Sequence, residues 1–461
     1  MHVMRLTTSS NKDVAGLVIA LLLAASAPVT ATAEPDAEVV RLEAEFLRLL
    51  AEHPALAAAR AEVREAEAGI DEARSDFLPS LSLRGEGGYG AADTPQRRAL
   101  RRGTLETDTY SATAELRQPL FDGFERGARL DAARVARERE FLGLSDTRQV
   151  LLLDGATAYH EVLRDARLIA LARAREQAIK TQLDLEDERV RRGGGIAVDA
   201  LFAKARLQNA VQERVAFEGD LERSRAAYRD VFGDVPPVGA MLEPIPPLRV
   251  LPASVDEAVA IALDESPSLA IARSDVRSAE LAREVSRAEY FPRIDLVLEG
   301  GWEDDFDGVE GTRRDLKAVV EVTWTLFDGF GREARNARTA ERAAEARFRN
   351  DDIARAVRER VERAYYDLET ARERVVLLRN AVNIAAEVFD ARQALRAAGR
   401  DSAVNVLDAE SELFAAQINL LAADFDARIA VFRLAAAMGL LTPAKLNLQV
   451  EGEAAGSAEE G

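Results

Sequence analysis

The five residues Leu120-Phe121-Asp122-Gly123-Phe124 return later in the chain as Leu326-Phe327-Asp328-Gly329-Phe330. Each copy follows a segment of alternating apolar and polar residues and precedes a long segment without proline, so each reads as a strand-to-helix joint. Asp122 falls where a helix N-cap belongs, with Glu125 three residues on, and Asp328 can cap in the same way although Gly331 replaces the Glu. A joint that recurs after about 206 residues marks an internal duplication. Val198 and Gly233 map onto Val404 and Gly439 at that offset, whereas Pro54 and Pro79 map onto Pro267 and Pro292 at about 213. The change falls between Pro79 and Phe121, which gives the first copy the longer loop.

A duplicated chain of 461 residues implies one architecture made of two similar halves. The expected segments are a cleaved signal peptide (1–33), a first helix-hairpin-helix repeat (34–233), a proline-rich linker (234–253), a second repeat (254–442) and a short, acidic, disordered tail (443–461). Arg5 and Lys12, the apolar run 14–27 and the small residues Ala31-Thr32-Ala33 carry the signal-peptide reading. There is no cysteine, hence no disulfide, thiolate metal site, cysteine nucleophile or acylated N-terminal cysteine. A formal net charge of -19 argues against a nucleic-acid partner. After the signal no run of about 18 apolar residues follows, so no membrane-spanning helix is expected.

Residues 35–76 space Val39, Leu42, Phe46, Leu49 and Leu50 as helices do, and His53-Pro54 interrupts them as a cap and fresh start. Past Pro79 the period becomes two. Leu81 and Leu83 alternate with polar residues, then Ala112, Ala114 and Leu116 do so beyond a loop rich in Gly, Arg and Thr. Ile294, Leu296 and Leu298 followed by Val320, Val322, Trp324 and Leu326 repeat the hairpin. Residues 124–192 and 330–395 contain no proline, and at about 1.5 Å per residue they form helices roughly 100 Å long. Phe141, Leu144, Leu151, Gly155, Ala158, Val162 and Ile169 make a coiled-coil-like packing stripe. Turns at 191–199 and 397–405 return the chain along shorter helices of about 35 residues. No Lys-Ser/Thr pair follows Gly193-Gly194-Gly195, so it is no phosphate cradle. With His53 and His160 the only histidines past the signal, and no Ser-His-Asp or His-Glu-x-x-His pattern, no catalytic residue, cofactor or metal site is expected.

The hairpins hold the informative chemistry. Tyr89, Tyr110, Phe121, Tyr290, Trp302, Trp324 and Phe327 lie within them or at their ends, together with Phe77, Phe124, Phe291, Phe306 and Phe330, where a membrane β-barrel places its interfacial girdles. Two hairpins supply four strands, whereas closed barrels begin at about eight, and an open edge in lipid costs several kcal/mol for each unpaired amide. Either these strands stay in water, as in a soluble periplasmic coiled-coil scaffold, or several chains share a barrel.

The signal peptide, the doubled helix-hairpin-helix plan, the two Phe-Asp-Gly-Phe joints and the turns that end in Val198-Asp199 and Val404-Asn405 together resemble the TolC-type outer-membrane efflux proteins, over essentially the whole mature chain. The resemblance implies a mixed α/β membrane protein. Long coiled-coil helices would form a trimeric α-barrel across the periplasm, and two β-hairpins per chain would enter a shared twelve-stranded transmembrane β-barrel in the outer membrane of a Gram-negative cell. It implies an exit duct for efflux or type I secretion, opened at its periplasmic tip by an adaptor protein and an inner-membrane transporter. By position, Arg192, Gly193, Gly195, Val198, Gly399 and Val404 would be adaptor-contacting tips, and Asp408, Asn405, Asp199, Asp401 and Arg400 the periplasmic gate. Asp408 matches an acidic position of the family's constriction. Asn405 stands where a second Asp is often found, and Asp401 where an Arg is often found, with Arg400 displaced by one, so the latch is expected to be rearranged.

Overall fold

The computed structural model describes residues 40–194, 197–235, 237–305 and 310–448. The expected signal peptide, Gly195, Phe306 and the tail beyond residue 448 lie outside the described residues. The first half runs α1 (Leu42–Glu52), α2 (Pro54–Ser75), β1 (Ser80–Ala92), the short α3 (Pro95–Ala99), β2 (Leu105–Phe121), α4 (Glu125–Arg191) and α5 (Ala197–Phe232). The second runs α6 (Val255–Glu265), α7 (Pro267–Ala288), β3 (Arg293–Asp304), β4 (Thr312–Thr323), α8 (Gly331–Ala397) and α9 (Ala403–Ala437). The helix α3 occupies the longer first loop and has no counterpart among the described residues of the second.

The helices α4 and α8 have 67 residues each, about 100 Å at the α-helical rise. Along α4 lie α2 and α5, along α8 lie α7 and α9, and α7 and α9 also pack on α4. The break at residue 53 has a local cause: His53 Nδ1 accepts the Ala55 N–H at 3.2 Å, and Pro54, whose missing N–H costs nothing at a helix start, opens α2. On one side of the long helices sits a second layer. Its first core joins Leu42 and Phe46 of α1 to Leu152, Tyr159 and Val162 of α4, Tyr228 of α5 and Phe432 of α9. Its second joins α6 to Val357 and Val361 of α8 and Leu434 of α9. The linker is less extended than its prolines suggest. It contains short 3₁₀ turns at Val238–Ala240 and Leu248–Val250, and Leu242 donates to the Val40 carbonyl at 2.9 Å. Residues 443–448, expected in the disordered tail, instead turn back so that Leu448 is buried in the first core.

The packing stripe of α4 is present with one exception. Leu144, Leu151, Gly155, Ala158, Val162 and Ile169 are buried, whereas Phe141 is 52% exposed. The joints also correct the sequence reading. The residue before α4 is Phe124, in the left-handed region at φ 71°, and the residue before α8 is Phe330 at φ 66°; neither position caps through a side chain. Asp122 lies two residues farther back and accepts the Arg126 N–H at 3.1 Å, while Asp328 accepts that of Gly331 at 3.1 Å. Two consecutive left-handed residues, Gly then Phe, turn the chain between strand and helix, and the Asp reaches over them to a first-turn amide. Glu125 is the first residue of α4 and pairs with Arg293 at 2.9 Å rather than closing a capping box.

The strands form one antiparallel sheet in the order β1-β2-β3-β4. The register pairs Leu83 with Ala114, Ala114 with Gly300 and Gly300 with Leu316. The sheet continues from one hairpin into the other, and β1 and β4 are its two unpaired edges. Trp324 and Leu326, expected within the last strand, lie just beyond it.

Candidate functional site at the helical turns and on the sheet face

At the far end of α4 and α8 the chain reverses twice. Gly193 (φ 80°) and Gly399 (φ 72°) take the left-handed conformation that ends each helix, donating to Val190 and Arg396 carbonyls at 3.0 Å. Arg192 is the residue that closes α4, Val198 is 52% exposed and Val404 is half-buried in the first turn of α9.

The expected gate residues fall into two groups. Around Arg396 of α8, the buried Glu186 of α4 accepts two hydrogen bonds from its Nη2, at 3.0 and 3.1 Å, and further ones from Arg189 at 2.9 Å and Gln182 at 3.0 Å. Arg396 Nη2 also lies 3.7 Å from Asp199, and Nη1 donates to the Asp401 carbonyl at 3.2 Å. The Asp401 carboxylate accepts from Asn405 Nδ2 at 2.5 Å, the Ser402 amide at 2.8 Å and Arg392 at 3.1 Å. Those donors, the Asn405 amide foremost, hold its pKa below the ordinary value. In the second group Asp408 of α9 forms an ion pair with Arg206 of α5. Two residues on, burial pushes the Glu410 carboxyl up to about 6, against the pull of Arg175 and Arg206. Arg400 joins neither group: it has no side-chain partner among the described residues.

The sequence reading did not find Glu186, Arg392, Arg396 or Arg206. Each is one charged residue among many on a helical pattern; the partners of Glu186, Arg396 and Arg206 are fixed only when α4 meets α8, or α5 meets α9, and that of Arg392 only when the turn after α8 brings Asp401 back to it.

The sheet has two chemically different faces. Following the register, Leu81, Leu83, Tyr89, Tyr110, Ala112, Ala114, Leu116, Leu296, Leu298, Trp302, Leu316, Val320 and Val322 share one face. Leu81 is 74% exposed, Leu83 79% and Leu316 87%, far above what a soluble sheet leaves uncovered. Tyr89, Tyr110 and Trp302 lie toward the loop end of this face, while Phe121, Tyr290, Trp324 and Phe327 lie at the helix end. The Trp324 indole donates to the Tyr290 carbonyl at 3.2 Å. The opposite face is charged: Arg117 pairs with Glu321 at 3.0 Å, Glu115 at 3.2 Å and Asp295 at 3.3 Å. Among the described residues no helix is long and apolar enough to cross a membrane, and none groups three acidic or imidazole side chains as a metal site.

Known proteins are similar to this chain in sequence and fold. The family described as "Outer membrane efflux protein" matches residues 47–234 and 258–440. The outer membrane efflux protein BepC of Brucella suis is 28% identical over 356 residues, covering 76% of this chain and 77% of that protein. The alkaline protease secretion protein AprF of Pseudomonas aeruginosa is 28% identical over 354 residues, 74% of this chain and 72% of its own. Among solved structures, the outer membrane protein VceC of Vibrio cholerae superposes with a TM-score of 0.74 at 17% identity, covering 86% of this chain and 96% of that one. A family match over both halves, with the same fold in a solved structure, leads to one conclusion: the chain belongs to the outer membrane efflux protein family.

Proposed function

We propose that this chain is one third of an outer-membrane exit duct, in which three copies pool their hairpins into one twelve-stranded barrel and their helices into a tube across the periplasm. The observation that carries this reading is the four-stranded sheet with an exposed apolar face and two unpaired edges. Left as it is, such a sheet fails in lipid at its edges and in water on its face. Joining β4 of one copy to β1 of the next removes the open edges, and lipid around the closed barrel covers the apolar face.

The joints support the same assembly. A Cβ on Gly123 would lie 2.6 Å from the Ala288 carbonyl oxygen and 2.8 Å from Phe291 Cβ, whereas one on Gly329 would meet nothing within 4 Å. Moved back by the repeat offset of about 213 residues, Ala288 and Phe291 become Ser75 and Leu78. Leu78 is 64% exposed, and so are Phe327 and Phe330, at 72% and 70%. A neighbouring copy's Leu78 on the Gly329 joint would complete for the second repeat what Phe291 completes for the first.

In this duct the helical turns form the periplasmic tip, where Arg192, Gly193, Gly195, Val198, Gly399 and Val404 meet an adaptor. The adaptor couples them to an inner-membrane transporter. Asp408 and its copies narrow the pore, and concentrated carboxylates favour cations there. The bond of Glu186 to Arg396 is the latch within each chain. AprF is named for alkaline protease secretion, and another relative, CzcC of Cupriavidus metallidurans, for cobalt-zinc-cadmium resistance; this chain serves the same class of export task.

Purified protein in planar bilayers tests the reading. Wild type is expected to insert as a cross-linkable trimer of low conductance. Asp408→Ala should relieve block by multivalent cations. Arg396→Ala removes the tie between α8 and the buried Glu186, which keeps only Arg189 and Gln182 of its own helix, and should open the tip. A water-soluble monomer that never conducts would establish the scaffold instead.

A further inference from the structure

A cavity of about 360 Å³ lies between α4, α8, α9 and the start of α7, within a single chain. Its floor is apolar, from Val150 and Leu153 of α4 and Ala430, Ala436 and Ala437 of α9, and its rim is charged. Phe432 and Leu434 turn into the two cores of the second layer. Arg433 between them is exposed on the opposite side of α9, so the cavity opens away from α1 and α6. In a closed tube the second layer has room only on the outside, which turns the cavity toward the interior. That orientation rests on the duct reading; the cavity itself does not.

The charges around it differ in how they are held. Arg360, Arg363 and Arg433 face Asp146 and Asp367. Arg363 is held by Glu359, but among the described residues neither Arg360 nor Arg433 donates a hydrogen bond to any group. Burial raises the pKa of Asp146 against the pull of Arg360. Arg360 and Arg433 thus keep their guanidinium donors unused by the chain's own acceptors among the described residues, beside an apolar floor. Small-molecule sites have this construction, with an apolar body and few polar groups that fix orientation, at volumes from about 300 Å³ upward. Guanidinium also matches carboxylate, sulfonate and phosphate groups through paired N–H donors.

We propose that this cavity binds small amphipathic anions, the apolar part against Val150, Leu153, Ala430 and Ala437 and the acidic group at Arg360 and Arg433. Inside the duct it would be a transit site for such molecules midway between tip and barrel.

The test uses the full-length protein in nanodiscs, titrated with the fluorescent anion 1-anilinonaphthalene-8-sulfonate against empty nanodiscs. A saturable component should appear with the protein and weaken at least tenfold in the double variant Arg360→Gln/Arg433→Gln. A cationic naphthalene probe should be indifferent to the change. Equal anion titrations of wild type and variant, no saturable component above empty nanodiscs, or a cationic probe that saturates wild type as tightly as the anion does would each overturn the proposal. Conductance of the same samples separates the two readings. A variant that conducts normally yet binds the probe as wild type does removes the anion site and leaves the duct. A protein that binds through both arginines but never conducts removes the duct and leaves the site.

Discussion

Glu410 and Asp401 sit nine residues apart in sequence and respond to pH in opposite directions. The folded pKa of Glu410 is raised to about 6 from an ordinary 4.5, because burial disfavours its charge more than Arg175 and Arg206 favour it. Its stabilising contribution is therefore complete below the ordinary value and is lost as pH rises through 6. Asp401 is depressed by Asn405, Ser402 and Arg392, so its contribution exists above the ordinary carboxylate value and disappears as the solution is acidified past it. Glu410→Gln should accordingly melt about 2 °C above wild type near pH 7.5, and the gap should close near pH 4.5. Thermal unfolding at the two pH values decides this, and an unchanged gap would mean that the carboxyl is not the cause. This scale was the least legible in the sequence. Asp408 could be placed by resemblance, but nothing in the chain marks Arg206 as its partner, because 202 residues separate them and each belongs to an ordinary charged helix face. The same holds for Glu186 and Arg396, whose 210-residue separation closes only through the packing of two hairpins.

Among the elements, periodicity made the long helices legible. Uninterrupted 3.6-residue patterns without proline gave both 67-residue spans nearly to their ends. The joints were legible as joints but misread in detail, because a pattern rule puts the capping Asp next to the helix. Here two left-handed residues, held by edge-to-face contacts of Phe121, Phe124 and Phe291, come between. Conformation alone would make Gly123→Ala and Gly329→Ala alike, since φ is 70° and 69° and a Cβ costs roughly 1–2 kcal/mol there. Surroundings make them differ. Gly123→Ala must also displace Ala288 or Phe291 of its own chain and is expected to impair folding, lowering the yield of protein in any form. Gly329→Ala meets nothing within its chain, so it should fold and then fail at the contact between copies, which appears as monomer at the expense of trimer on a gel run without boiling. Equal trimer fractions for Gly329→Ala and wild type would place no neighbour at that joint.

At the scale of the molecule, strand patterns told that one chain has too few strands to close a barrel. They left two points open, the pairing of β2 with β3 across the two halves and the register that aligns every row, since pairing between distant strands is set by tertiary packing. That register determines which residues meet lipid in the proposed barrel, and it makes neighbours in sequence into opposites in environment. Leu83 lies on the apolar face in a row with Ala114, Gly300 and Leu316, and Ser82 beside it points to the face that carries Glu115 and Glu299. Both are exposed in the single chain, so a soluble protein would accept an arginine at either position with little effect. In a bilayer the two differ: an arginine on the lipid side near the midplane costs about 2–4 kcal/mol, repeated in every copy, while one on the interior side meets water and carboxylates. Leu83→Arg should therefore cut the amount of folded protein in the outer-membrane fraction severalfold, and Ser82→Arg should leave it near wild type and shift the conductance. Should the two variants reach the membrane equally, the apolar face does not contact lipid, and the shared barrel would have to be abandoned whatever the fate of the helical tube.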